Sequence, residues 1–233
     1  MDDTTSPSPS RRQASVIAGA GLLILAILGA FANFGVLESL VTDGNAAQTS
    51  EDILASATLF RIGVASLVLV ATLDIVVAWA LLVVFRSVNG RLSQLTAWFR
   101  IIYAGVFAAG ISMLPGVLRL LDTSDGLAAI PMDQRQAQAL LRIDTFNDIW
   151  NTGLVLFGVH LLLLGYLTYQ SGVVPKILAV LIAIAGAGYV IDSFGSLLSA
   201  SYTLELSTFT FIGEALLIIW LLVAGRRLPD KDK

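Results

Sequence analysis

The chain has 233 residues, 56% of them apolar and 13% charged, with a mean hydropathy of +0.83. Soluble domains carry roughly a quarter charged residues, so that class is excluded. The absence of cysteine rules out disulfides, thiolate metal sites and cysteine nucleophiles. The net charge of −3 comes with no basic patch, which excludes nucleic-acid binding.

Apolar runs of span length predict an all-α, polytopic membrane protein, a bundle of six transmembrane helices. A polar tail over residues 1–14 precedes the first span, Ser15–Leu37, where Gly19, Ala26 and Asn33 recur at every seventh position. That run has about 22 apolar residues, longer than the 7–15 of a signal-peptide core, so it reads as a retained helix. An acidic loop follows, and Thr49 to Asp52 has capping-box spacing, which predicts that the second helix starts outside the bilayer. The second span, Leu59–Phe85, carries Arg61 at its outer end and Asp74 in its interior.

Arg86 and Arg91 then lead into a third span, Ala97–Leu121, with Arg100 near its inner end, where a long side chain snorkels to headgroups. Pro131 opens a polar helix that runs into the fourth span, Phe146–Tyr169. This span holds His160, the only histidine, and a stripe of Asn147, Asn151, Gly158 and Gly165. In the fifth span, Val174–Leu198, Tyr189, Asp192, Ser193 and Ser196 share one face, and Ala179, Ala183 and Ala187 have the close-packing spacing of membrane helices. The sixth, Ser207–Gly225, stacks Ser207, Thr210 and Glu214, and residues 227–233 form a second polar tail.

Arginine and lysine gather at one set of loops: Arg11, Arg12, Arg86, Arg91, Lys176, Arg226 and Arg227. The opposite loops hold Glu38, Asp43, Glu51, Asp52, Asp122, Asp125 and Asp133. By the positive-inside rule both termini are cytoplasmic, and residues 15–226 form one transmembrane domain of the cell membrane.

The order of landmarks in FGVHLLLLGYLTYQSGVVPKILAVLIAIAGAGYVIDSF and GEALLIIWLLVAGRR, with LFRIG opening the second span, resembles the bacterial domain-of-unknown-function family 4386. The resemblance implies a multi-span membrane protein and lends a topology without a mechanism.

Function therefore rests on the ionisable residues inside the spans, which are costly in hydrocarbon and are functional candidates by default. Counting residues from the outer ends puts Asp192 and Glu214 at similar depth. With Arg61, Asn151 and Tyr189 they form a candidate ligand-binding pocket that opens outward, with Arg61 as the partner of one carboxylate. For the uncharged members, helix packing is the stronger reading. Asp74 and His160 share a second, deeper level, which makes them a candidate pair, proton-active or structural. No elbow, phosphate loop or zinc helix is present, and one histidine without cysteine cannot build a bis-histidine haem or a conventional histidine-rich metal site within one chain. The expectation is no cofactor, a lipid bilayer and a small-molecule ligand as partners, and room for a second copy of the chain.

Three functions stay open: binding or transport of a small polar solute or proton, a sensory or scaffolding accessory protein with structural polar residues, and an intramembrane lipid-modifying enzyme. With no identifiable nucleophile, enzymatic activity ranks last.

Overall fold

The computed structural model describes residues 10–122, 129–199, 201–204, 206 and 211–227. Among them all regular structure is helical. Helix α1, Arg11–Ala30, opens on a reciprocal capping box: Ser10 Oγ accepts from the Gln13 N–H at 3.2 Å, and the Gln13 side chain accepts from the Ser10 N–H at 3.1 Å. It runs on through a π-helical stretch, Phe31–Leu37, and a last turn, Glu38–Leu40.

Helix α2, Ala46–Ala55, is capped by Asn45, whose side chain accepts from the Gln48 N–H at 3.0 Å. The expected cap, Thr49, is instead buried inside α2 and exchanges hydrogen bonds with the backbone of Thr42. At Ser56 the backbone leaves helical geometry (φ −122, ψ 34), and α3 begins afresh over Ala57–Phe85.

Helix α4, Gly90–Ile111, starts well before the apolar run because Asn89 caps it, accepting from the Leu92 N–H at 3.1 Å. After a bend at residues 112–114, Pro115 stands at the first position of α5, Pro115–Leu121. The polar segment after Pro131 and the fourth span are one 40-residue helix, α6, Met132–Ser171, as expected. It stops at Gly172, whose φ of 67° is the left-handed conformation that glycine supplies at helix ends. Helix α7 covers Lys176–Leu198 and α8 covers Ile212–Val223.

Five helical segments are long and apolar enough to cross a membrane: Arg11–Leu40, Ala57–Phe85, Gly90–Leu121, Met132–Ser171 and Lys176–Leu198. Helix α8 has 12 described residues, and the expected Ser207 and Thr210 of its polar stripe lie outside the described residues. The perimeter is apolar: Ile27, Phe34, Leu69, Ile102 and Ile177 all stand exposed. In water such a surface would be an aggregation liability; against acyl chains it costs nothing.

The long helices close a ring in chain order: α1 packs on α3, α3 on α4, α4 on α6, α6 on α7, α7 on α8, and α8 on α1. Three side-chain bonds fix the alternation of direction. Arg11 Nε donates to the Val84 carbonyl at 3.1 Å, Ser15 Oγ to Leu221 at 3.0 Å, and Ser93 Oγ to Leu82 at 3.1 Å. The start of α1, the end of α3, the start of α4 and the end of α8 thus share one end of the ring, together with Arg11, Arg86, Arg91 and Arg226. At the opposite end α2, α5 and the polar half of α6 pack together. There the buried Arg135 donates to the carbonyls of Leu120 at 3.5 Å and Asp122 at 3.3 Å, satisfying acceptors that the end of α5 leaves open.

Close approach is concentrated where α6 meets α7. A Cβ added to Gly158 would stand 2.7 Å from the Gly186 carbonyl oxygen, and one added to Gly165 would stand 2.9 Å from that of Ala179. The glycines of the expected asparagine–glycine stripe are therefore packing residues. On α1 the same holds for Gly19, which meets Leu222, while Ala26 is exposed, so the seven-residue repeat is not one seam.

Candidate functional site: a charged centre inside the helix ring

Near the middle of the ring the polar residues of five helices converge. Asp74 lies well inside α3, and Arg100 comes a dozen residues or so after the cap of α4, about 15 Å along its axis. Neither can reach an end of its helix. Arg100 Nη2 donates to Asp74 Oδ1 at 2.5 Å, with both side chains 4% exposed. The other terminal nitrogen, Nη1, lies 3.3 Å from His160 Nε2 on α6.

The opposite ring nitrogen of His160, Nδ1, is 2.8 Å from the Thr96 carbonyl, which only accepts. Nδ1 therefore carries the proton, and Nε2 accepts from the guanidinium. The imidazole is fully buried and satisfied on both sides. Phe157, one turn earlier on α6, organises the surroundings. Arg100 lies over its ring at 5.2 Å, His160 stacks on it at 5.9 Å, Tyr103 packs at 4.9 Å and Tyr189 meets it edge-on at 5.3 Å.

Helices α7 and α8 complete the centre. The Tyr189 hydroxyl faces the Glu214 carboxylate, and Glu214 lies within electrostatic reach of both Arg100 and Asp74. Glu214 Oε1 is buried and has no hydrogen-bond partner among the described residues. On the far side Trp150 Nε1 donates to the Tyr103 hydroxyl at 3.1 Å, so Trp150 fills the core. Beneath His160, between Ala78, Leu81, Ser93 and Thr96, the remaining gap has no room for a water molecule. The His160 side of the centre is closed, whereas Tyr189 and Glu214 are half-buried.

Several expectations need correction. Arg100 does not snorkel: it is 3% exposed and pairs with Asp74, because the Asn89 cap sets the helix start a full two turns before the apolar run. Asp74 and His160 do share a level, but Arg100 stands between them, so they form a triad bridged by a cation and no direct pair. The outward pocket separates into its parts. Arg61 is exposed on α3, which packs on α1 and α4 and lies across the ring from the α7–α8 pair, so it partners neither carboxylate. Asn151 is exposed on α6.

Asp192 accepts from the Tyr202 hydroxyl at 2.6 Å and the Leu206 N–H at 3.1 Å, which ties it to the segment after α7. That bond, with some desolvation and the nearby negative charge, pushes the Tyr202 hydroxyl up to about 12. Glu214 meets Tyr189, one turn below Asp192, and so belongs with the deeper group. Tyr103 and Phe157, as well as Arg100, escaped sequence reasoning. The cap Asn89 was the available signal for Arg100; aromatic residues in an apolar run give none.

Among the described residues no group of three or more histidine and carboxylate side chains is placed to hold a metal ion. What the centre can do chemically is hold one charge more than it has. It contains two carboxylates, one guanidinium and a neutral imidazole.

Residues 17–225 match a family model described as Domain of unknown function (DUF4386). A protein of Archaeoglobus fulgidus named "Uncharacterized protein" is 34% identical over 162 residues, covering 70% of this chain and 83% of that one. No solved structure matches the chain. With the family model spanning nearly all of the ring and its charged centre, the chain belongs to the DUF4386 family.

Proposed function

We propose that the protein is a six-span protein of the cytoplasmic membrane, both ends cytoplasmic, that binds and exchanges a proton at the charged centre of its helix ring. The observation that carries this reading is the imbalance at Arg100. Asp74 and Glu214 both face one guanidinium, and one oxygen of Glu214 is buried without a partner. Uncompensated charge in hydrocarbon is expensive, so the site calls for one further positive charge. The gap beside His160 has no room even for a water molecule, which favours a proton over a larger solute. Transport or sensing of a small polar solute coupled to that proton is the functional class that follows.

Infrared difference spectroscopy of the protein in lipid tests it. A carboxylic-acid carbonyl band that titrates with pH should be present in the wild type, absent in Glu214→Gln, and retained in a variant at exposed Asp148. Proteoliposomes of the wild type should also dissipate an imposed pH gradient faster than those of Glu214→Gln. A band unaffected by Glu214→Gln overturns the proposal.

The full satisfaction of His160 on both nitrogens favours a second reading, in which the centre is a structural strut of a scaffolding or accessory membrane protein. In that case Glu214→Gln changes thermal stability, and no pH-dependent carbonyl signal exists at all.

A further inference from the structure

At the end of the ring that carries α2 and α5 lies a groove of about 290 Å³, lined by Phe60, Arg61 and Val64 of α3 and Pro115, Leu118 and Arg119 of α5. The charged centre does not use it. Phe60 is buried and forms its floor, Val64 and Leu118 are half-buried walls, and Arg61 and Arg119 are both exposed. Neither arginine makes a hydrogen bond or ion pair to another described side chain, although acidic residues are frequent at this end of the chain. Below the groove, the α3 flank continues with exposed Ile62, Val68 and Leu69.

Depth matters here. Arg61 is about 20 Å along α3 from Asp74, at 1.5 Å per residue. Half of a hydrocarbon core is about 15 Å, so with Asp74 near the midplane the two guanidinium groups stand at headgroup level. Planar guanidinium forks match phosphate oxygens in bidentate fashion, and two of them across an apolar cleft complement a phosphodiester whose acyl chains follow the flank of α3.

We infer that the Arg61–Arg119 groove is a binding site for the headgroup of an anionic phospholipid, drawn from the leaflet at the acidic-loop end. The guanidinium groups hold the phosphate, and Phe60, Val64 and Leu118 hold the glycerol and upper acyl chain. The lipid bridges α3 and α5, and because the bend at residues 112–114 joins α5 to α4, it fixes the angle of that bend.

Native mass spectrometry of the full chain, released from detergent after equilibration with phosphatidylglycerol, phosphatidylcholine or inorganic phosphate, tests the inference. The wild type should retain one phosphatidylglycerol in preference to phosphatidylcholine. Two basic contacts at a membrane surface are together worth about thirty-fold in affinity, so Arg61→Gln/Arg119→Gln should weaken that lipid by about this factor. Arg61→Lys/Arg119→Lys keeps the charge and loses the bidentate forks, so its affinity should fall between those of the wild type and the double glutamine variant, which separates recognition from a folding defect. Equal retention of phosphatidylglycerol by the wild type and the double glutamine variant overturns the inference. So does displacement of the lipid by millimolar inorganic phosphate, which would mark a site for a free anion.

Discussion

The two ends of the polar inventory behave differently. In the middle of the ring, Asp74, Arg100, His160, Tyr189 and Glu214 come from five different helices; Arg100 bonds to Asp74 and His160 across helix interfaces, and Tyr189 and Glu214 face each other beside them. Toward the acidic end, Arg61, Asn151 and Asp192 share a level but not a neighbourhood: two are exposed, and the third serves the segment after its own helix. A stripe of polar residues on one helix is thus weak grounds for a site. Convergence is decided by the angular order of helices in the ring, and only the deep group has it.

That contrast can be broken by mutation, and the largest effect belongs to the centre. Arg100→Met leaves Asp74 buried without its partner and takes the donor from His160 Nε2. Loss of one member of a buried pair costs about 3–5 kcal/mol, so a large fall in thermal stability in detergent is expected. Asp74→Leu/Arg100→Met removes both charges and should recover much of the loss, because a well-packed apolar replacement of a buried pair is often neutral or better. Arg61→Gln, at an exposed position, should change stability by no more than about 0.5 kcal/mol. If Arg61→Gln were as damaging as Arg100→Met, the distinction between the two regions would collapse.

A smaller effect belongs to the α6–α7 seam that holds Phe157, His160 and Tyr189 in place. Gly158→Ala puts a methyl 2.7 Å from a backbone carbonyl, which cannot rotate away. Overpacking of this kind costs about 1–3 kcal/mol. Because the seam sets the position of Tyr189, the infrared signature of Glu214 should shift in the same variant. Gly29→Ala, where an added Cβ meets nothing within 4 Å, serves as the control: it should leave the spectrum unchanged and at most raise stability by about 0.5–1 kcal/mol through helix propensity.

How far the fold and the centre were legible in the sequence depended on which coordinate was asked for. Depth along a single helix was readable: residue counts placed Asp74 and His160 at one level, and both bond to Arg100. The same counting failed for Arg100 because hydropathy marks where a helix turns apolar, whereas Asn89, a capping side chain, marks where it begins. Azimuth was not readable. A rotation of 100° per residue says which residues share a face, but not which neighbour that face meets. Depth alone therefore matches Arg61 with carboxylates that lie across the ring, and Glu214 with Asp192, whereas Glu214 faces Tyr189.

The smallest expected effect sits at the end of α7, and it tests whether Asp192 is a local anchor and no part of the deep group. The Tyr202 hydroxyl, pushed up to about 12 by its bond to Asp192, starts from an unfolded value near 10. The protonated hydroxyl is the bonding form, so this contact is fully present below about pH 10 and is lost as pH rises through about 12. An ultraviolet difference titration of wild type against Tyr202→Phe isolates this one phenol. In an Asp192→Ala background its midpoint should fall back toward about 10. The carbonyl signature of Glu214 should stay where it was, since Asp192 is not among the groups that act on that carboxylate. A shift of the Glu214 signature with Asp192→Ala would join the two regions into one site, restoring the outward pocket that residue counting suggested.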